Sequence, residues 1–164
     1  MKEITGYSFL QRFVLVILRI SIGWHLLFEG FSKLLLPDWS SAGFLMESKW
    51  ILKGFADWVV SDPAVLSSVD FLNTWGLIAI GLGLTLGLFT RVAAISGAIL
   101  LFVYYLINPP LVGLEYTLPA EGNYMIVNKT LIETAALIVL AVFPTGLFAG
   151  IDILVTRLRK RNNQ

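Results

Sequence analysis

The chain has 164 residues, of which 57% are hydrophobic and 14% are charged, with a mean hydropathy of +0.79 and a net charge of +1. A soluble domain is about half apolar and about a quarter charged, so this composition indicates an integral membrane protein with one small domain. The absence of cysteine excludes disulfides, thiol relays and Cys-ligated Fe–S clusters, and a single histidine argues against haem and against a metal site. No basic cluster interleaved with aromatic residues indicates nucleic-acid binding.

The first apolar run, residues 12–36, is long enough to cross a bilayer, because about 20 helical residues span the apolar core. It carries charges and has no small-x-small cleavage site, so a retained helix is expected instead of a signal peptide. Four ionisable residues fall on one face of this helix: Arg19, His25, Glu29 and Lys33. Because such groups usually face a bundle interior or a wet cavity, the helix needs other helices around this face.

Residues 37–71 are too polar to span a membrane and too rich in tryptophan and phenylalanine for a plain solvated loop. Within them, residues 47–60 have an apolar face and a charged face, which is typical of an amphipathic helix at the membrane interface. Asp62 and Pro63 have the pattern of an N-cap followed by proline at the first helical position, so a short helix is predicted to begin there.

Three further membrane helices are predicted, over residues 72–90, 91–107 and 125–149, and a basic tail follows over residues 150–164. The expected fold class is therefore all-α, a bundle of four transmembrane helices with an outer amphipathic segment between helices 1 and 2. Pro144 is expected to kink or end the fourth helix.

The second helix contains four glycines, Gly76, Gly81, Gly83 and Gly87. Gly83 and Gly87 form a small-xxx-small pair, which favours close packing of helices. A packing face is the preferred interpretation, and close approach of a ligand is the alternative.

Four spans place both termini on one side of the membrane, together with the turn between helices 2 and 3. Most basic residues fall on that side: Lys2, Arg12, Arg91, Arg157, Arg159, Lys160 and Arg161. The positive-inside rule then predicts a multi-pass protein of the cytoplasmic (inner) membrane with cytoplasmic termini.

Depth along the helices indicates where the polar residues meet. At about 1.5 Å per residue, Glu133 lies level with Glu29 and Lys33 in the outer half of the bundle, with Lys129 above it, whereas Arg19 and His25 form a deeper layer. The outer ends of helices 2 and 3 add further polar and aromatic side chains: Asn73, Trp75, Tyr104, Tyr105 and Asn108. A ligand pocket is therefore predicted in the outer half of the bundle.

Two groups of candidate site residues follow from this arrangement. The candidate catalytic residues are Glu29, His25 and Arg19. The candidate ligand-binding residues are Lys33, Trp75, Tyr104, Tyr105, Asn108, Lys129 and Glu133.

Structural interpretations of these residues remain open. Glu29 with Lys33, and Lys129 with Glu133, are spaced i,i+4 and can neutralise each other. His25 can be a hydrogen-bonded core residue, and the aromatic residues can form an interfacial belt. Arg19 is too deep to reach the interface easily, so it needs a carbonyl, water, an anionic ligand or an acceptor on another helix.

The order and spacing of four motifs resemble the DoxX/DoxD-like membrane proteins over nearly the whole chain. The motifs are Arg19-x-x-x-Gly23-Trp24-x-x-x-x-x-Gly30-x-x-Lys33-Leu34, Ser40-x-x-Gly43-Phe44-Leu45, Gly76-Leu-Ile-x-x-Gly81-Leu-Gly83-Leu…Gly87-x-x-x-Arg91-x-Ala93-Ala94, and Gly146…Asp152. One departure is Glu29, since many members carry a histidine before the glycine that corresponds to Gly30. A role of that histidine cannot be transferred directly, although His25 lies one turn earlier.

The resemblance implies a four-helix membrane fold. It also points to the membrane subunit of a thiosulfate:quinone oxidoreductase, which works with a separately encoded second subunit. Three hypotheses follow: a quinone-linked oxidoreductase component, a non-catalytic subunit or assembly factor of a redox or stress complex, and an oligomeric small-solute permease. Under the first, quinone is the expected cofactor, Glu29 or His25 exchanges protons, and Arg19 or Lys33 stabilises negative charge on a quinone oxygen. The expected partners are the lipid bilayer, a second membrane or periplasmic subunit, and further copies of this chain.

Overall fold

A computed structural model describes residues 7–117, 125–143 and 145–153, and its regular elements in these ranges are all helical. They are α1 (Phe9–Leu35), α2 (Ala42–Met46), α3 (Lys53–Ser61), α4 (Pro63–Leu86), α5 (Thr90–Ile107), α6 (Lys129–Val142) and a short 3-10 helix (Thr145–Leu147). Three of them, α1, α4 and α5, are long and apolar enough to cross a membrane. The prediction of an all-helical membrane protein is therefore confirmed for the described part of the chain.

Local sequence signals account for the helix ends. Ser8 and Gln11 form a capping box in front of α1, in which each side chain bonds the other residue's backbone N–H. The Asp62 carboxylate caps α4 and Pro63 occupies its first turn, as predicted. The sequence predicts a short helix from 63 and a separate span from 72. No proline or glycine lies between these two starts, and the structure has one continuous helix, α4, over both.

Antiparallel packing of α1 on α4 depends on glycines in both helices. Gly23 lies against Thr85, Gly30 lies against Ile78, and Gly81 lies against the backbone of Leu27. Because glycine has no side chain, the two backbones approach closely at these positions, and dispersion then holds the helices together in lipid.

The predicted Gly83/Gly87 pair does not form a single packing face. Gly83 faces Ala93 of α5, whereas Gly87 lies beyond the end of α4 with a φ of +67°, where it ends the helix in the left-handed conformation. Gly87 also lies close to Gly150, so a side chain there would meet the chain after α6.

The fourth helix is shorter than expected. The sequence predicts one span over 125–149, but α6 has 14 residues, about 21 Å, and a 3-10 helix follows it. Even so, the segment runs antiparallel along α5. The hydroxyl of Tyr105, near the end of α5, donates to Ile126 O at 2.8 Å, and Asp152 bonds the first residues of α5. The core between the helices contains Leu26, Leu77, Leu84, Ala94, Leu137 and Leu140.

The segment between α1 and α4 folds as two short helices, of which α3 overlaps the single amphipathic helix predicted over 47–60, whereas α2 precedes that range. Ala56 and Val59 are fully buried, together with Leu45 of α2, whereas Phe55 and Trp58 are exposed. Such an apolar exposed face is compatible with the predicted position at a membrane interface. The predicted basic residues of the tail, from Arg157 onward, lie outside the described residues.

Candidate functional site

A cluster of ionisable side chains joins α1 to α6, and His25 lies at its centre. The Nδ1 atom of His25 is 3.0 Å from Glu133 Oε1, and its Nε2 atom is 3.2 Å from Lys129 Nζ. Because an ammonium group can only donate, Nε2 acts as the acceptor and the ring proton lies on Nδ1, facing the carboxylate. The Nδ1 contact is at ion-pair distance but lacks hydrogen-bond geometry. His25 therefore connects a lysine and a carboxylate that both belong to α6.

The second half of the cluster lies on α1. Lys33 Nζ donates to Glu29 Oε2 at 2.7 Å, and Glu29 Oε1 lies 4.0 Å from His25 Nε2. The cluster thus contains two cations, two carboxylates and one imidazole, and it is electrically balanced when the imidazole is neutral. Both i,i+4 pairs that the sequence suggests are drawn into one network, although Lys129 pairs through His25 instead of directly with Glu133.

The position of His25 corrects one expectation. Depth along α1 alone assigns His25 to a deeper layer with Arg19, unpaired within its helix. The structure instead places it with Glu29, Lys129 and Glu133, because α6 brings its two charged residues to the level of His25. Only Arg19 remains in the deeper layer.

A cavity of about 640 Å³ adjoins this cluster at the end of α1 that carries Lys33. Its walls come from the end of α1, from α2, and from the facing sides of α4 and α5. The lining residues include Lys33, Trp39, Phe44, Leu72, Asn73 and Tyr104. Lys33 Nζ lies 5.3 Å from the centre of the Trp39 ring, within range of a cation–π contact. Lys33 therefore belongs to both the cavity wall and the ion cluster.

Hydrogen bonds from neighbouring elements hold α2 over the cavity. The Asp70 carboxylate of α4 accepts from Ser41 N at 2.9 Å and from Ser41 Oγ at 2.5 Å, just before α2. Asn108 Nδ2 donates to Phe44 O at 3.0 Å, and Ser48 Oγ donates to Ile107 O at 3.0 Å. The short helix would have little stability alone, so these bonds fix the cavity wall.

Polar groups in and beside the cavity are mostly paired. The Tyr104 hydroxyl donates to Asn73 Oδ1. Asn108 Oδ1 is buried, and no described residue donates to it. A buried acceptor without a donor is costly, and because Asn108 does not line the cavity, this oxygen is not placed to bind a ligand there.

Of the seven predicted ligand-binding residues, Lys33 and Tyr104 line the cavity, and five do not: Trp75, Tyr105, Asn108, Lys129 and Glu133. Trp75 is 47% exposed and packs against Phe71, and the Tyr105 hydroxyl bonds Ile126 O. Among the described residues, Trp75 thus has the exposed position typical of an aromatic belt, and Tyr105 holds the chain that enters α6.

Arg19 lies near the middle of α1, about 21 Å along the helix axis from Lys33 and the cavity. It is 2% exposed, and its Nη2 atom donates to Ala149 O at 2.5 Å. Its Nε and Nη1 atoms have no hydrogen-bond partner among the described residues, and Asp152 lies within electrostatic range. The sequence analysis expects Arg19 to need an acceptor, and the carbonyl of Ala149 is one such acceptor. Through this hydrogen bond Arg19 holds the segment after α6, and it does not reach the cavity.

Sequence reasoning did not select Trp39 and Ser41 as site residues. Trp39 belongs to the aromatic-rich stretch that indicates an interfacial segment, and Ser41 lies in a turn. Only the fold of α2 onto α4 and α5 shows that both line the cavity. Among the described residues, no group of three or more His, Asp or Glu side chains is arranged to hold a metal ion.

These features define a helical membrane protein whose apolar helices enclose an ion cluster beside an apolar cavity. The chain belongs to the DoxX family, since the model of that family matches residues 14–108. The matched region includes Arg19, His25, Glu29 and Lys33 together with the whole cavity lining. Comparisons with curated proteins and with solved structures found no match.

Proposed function

We propose that this protein is a quinone-linked component of a membrane oxidoreductase, and that the cavity beside Lys33 binds the quinone head group. The observation that carries the proposal is the position of Lys33. Its side chain lines an apolar cavity, and it is also the last member of the ion cluster that extends through Glu29 to α6. Apolar walls with a few polar groups are typical of sites for small planar ligands.

The chemistry of the lining fits such a ligand. Trp39, Phe44 and Tyr104 offer aromatic surfaces on which a ring can stack, and Lys33 offers a donor for a carbonyl oxygen. A bound quinone would supply the two-electron, two-proton chemistry that no side chain of this sequence provides. The electrons would come from a partner subunit or from a small sulfur oxyanion, the donor class that the family resemblance suggests.

The ion cluster supports a role in moving protons. Lys33 can donate to the ligand oxygen, and Glu29, which accepts from Lys33 at 2.7 Å, is the neighbouring group that can exchange a proton with it, whereas His25 Nε2 lies 4.0 Å from Glu29, beyond hydrogen-bond distance. Glu133 and Lys129 hold the imidazole in one tautomer and orientation. Arg19 lies too far along α1 to take part, so it is not proposed as a catalytic residue.

The test uses the full chain purified in native lipid without detergent, followed by extraction of quinone. Lys33→Met is expected to lower the quinone recovered per protein several-fold. Lys49→Met is the matched control, because Lys49 also lies over an aromatic ring, Tyr116, but outside the cavity. Absence of quinone from the wild type, or equal recovery from both variants, would contradict the proposal.

A non-catalytic subunit is the second candidate, and the internal neutrality of the ion cluster favours it, because the charges of Glu29 and Lys33 already balance. His25→Gln separates the two functions. A proton relay predicts a loss of quinol formation with thiosulfate or sulfite while the melting temperature changes little. A purely structural cluster predicts a lower melting temperature and no turnover in either protein.

A further inference from the structure

A second groove lies between α5 and α6, on the outside of the bundle, and it has a volume of about 570 Å³. Its walls are almost entirely apolar, with Ile95, Phe102, Leu131 and Ile138 among them. The hydroxyl of Thr134, which also lines it, donates to Thr130 O at 2.8 Å, so its donor is already used. The groove therefore suits a hydrocarbon chain.

Among the described residues that line the groove, one is a cation, and it lies at one end of the groove. Arg91, in the first turn of α5, is exposed and makes no ion pair or hydrogen bond with any described residue. The nearby carboxylate of Asp152 accepts instead from Phe89 N at 2.7 Å and from Thr90 N at 3.1 Å. Arg91 is thus available for an external anion, and a guanidinium binds phosphate oxygens in a bidentate manner.

The length of the groove matches one lipid leaflet. From Arg91 to Phe102 the helix rises about 16 Å, and half of the hydrocarbon core of a bilayer is about 15 Å. A guanidinium at the end of an apolar groove of this length has the arrangement of a phospholipid, with its charged head group at the interface and its acyl chain inward.

We propose that the groove between α5 and α6 binds an anionic phospholipid, with its phosphate on Arg91 and one acyl chain along Ile95 and Phe102. A second copy of the chain is the less favoured occupant. Two copies with the same membrane orientation would bring Arg91 and its equivalent to the same depth, where like charges repel. A second apolar groove, between α4 and α5, provides an internal contrast, since no charged residue lines it.

Native mass spectrometry of the purified full chain, incubated with equal amounts of phosphatidylglycerol and phosphatidylcholine, tests the proposal. The wild type is expected to retain the anionic lipid about fivefold over the zwitterionic one, the ratio expected for one arginine at a membrane surface. Arg91→Gln should lose this preference, and Arg91→Lys should keep part of it. An unchanged preference in Arg91→Gln, or no preference in the wild type, overturns the proposal.

A steric pair of variants tests the groove itself. Ala135→Phe places a ring in the α5–α6 groove and should lower retention of the anionic lipid. Ala79→Phe places the same ring in the α4–α5 groove, which lacks a cation, and should leave the preference for the anionic lipid unchanged. Equal retention by both variants would contradict the proposal. A wild-type dimer that Ala135→Phe converts to a monomer would assign the groove to a second copy.

Discussion

Single residues show how this membrane protein accommodates charge. His25 contacts two groups of α6, Lys33 pairs with Glu29, and Arg19 bonds a backbone carbonyl. Each arrangement reduces the cost of placing an ionisable group among apolar helices. The ionisable residues of α1 therefore have two roles, since Arg19 in the middle of the helix anchors the segment after α6, whereas the cluster farther along α1 adjoins a cavity.

Glu47 provides a residue-scale prediction outside the membrane helices. Its carboxylate accepts from Thr117 N at 3.0 Å and from the Thr117 hydroxyl, and these hydrogen bonds lower the pKa of Glu47. A lowered folded-state pKa stabilises the contact above the ordinary glutamate value of about 4.3, and the effect is lost as the pH falls through the folded pKa. Thr117→Val should raise the pKa of Glu47 in an NMR titration of the full chain.

The pKa of Tyr116 gives a second, independent reading of the charge on Glu47 in the same titration. Burial, and then the charge of Glu47, raise the pKa of Tyr116. Glu47→Gln should therefore lower the pKa of Tyr116 only in part, because burial is the larger cause. A Glu47 pKa that is unchanged in Thr117→Val would show that the contact between α2 and the loop after α5 does not form in solution.

At the scale of elements, glycines determine how closely α1 and α4 pack. A methyl group on Gly81 would overlap the backbone of Leu27, whereas a methyl group on Gly76 would meet nothing within 4 Å. Gly81→Ala should destabilise the protein by about 1–3 kcal/mol, the usual cost of overpacking, whereas Gly76→Ala should be neutral or stabilising by up to about 1 kcal/mol. Equal unfolding free energies by reversible denaturation in micelles would contradict the packing.

Asp152 lies in the segment after α6, but its carboxylate caps the start of α5. Its carboxylate takes the place of an N-cap for α5, since it accepts from Phe89 N, Thr90 N and Thr90 Oγ1. Both carboxylate oxygens accept hydrogen bonds and the charge lies within electrostatic range of Arg19, so Asp152→Asn should remove an acceptor and a favourable charge and cost about 1–2 kcal/mol of unfolding free energy.

Asp62→Asn is the matched control for Asp152→Asn. Asp62 caps α4 through Oδ1 alone, and asparagine caps a helix about as well as aspartate. This variant should therefore have nearly the wild-type stability. A similar loss in both variants would mean that the charge of the carboxylate matters and its second oxygen does not.

At the scale of the whole molecule, the path of the chain through α6 decides the topology. The α-helix of this segment has 14 residues and a short 3-10 helix follows it, yet the described part of the segment runs from the end of α5 back to its beginning. Since the chain lacks cysteine, single cysteines at Phe9, Val112 and Leu147 can report sidedness to an impermeant maleimide. A fourth crossing predicts that Phe9→Cys and Leu147→Cys label from one side and Val112→Cys from the other. Labelling of Leu147→Cys together with Val112→Cys would show that α6 does not cross.

Periodicity, hydropathy and capping signals were sufficient to predict the all-helical membrane class and a few helix ends, such as the start of α4 at Pro63 and the end of α5 at Ile107, because these features depend on neighbours within one or two turns. The i,i+4 pairs and the ionisable face of α1 were visible for the same reason. α6 ends at Val142, two residues before Pro144, where the sequence analysis expects a kink or an end, although the predicted range runs on to residue 149 because apolar composition continues past Val142 while the chain turns back toward the start of α5.

What the sequence by itself determined is therefore the class of protein, the helices and the residues that need partners in lipid. Only the tertiary structure decided which partners they have. In the structure His25 lies in the ion cluster that joins α1 to α6, Arg19 donates to Ala149 O, and Trp39 lines the cavity. The physical reason is that the register between distant helices depends on close packing at glycines such as Gly81, and a helical period carries no information about that register.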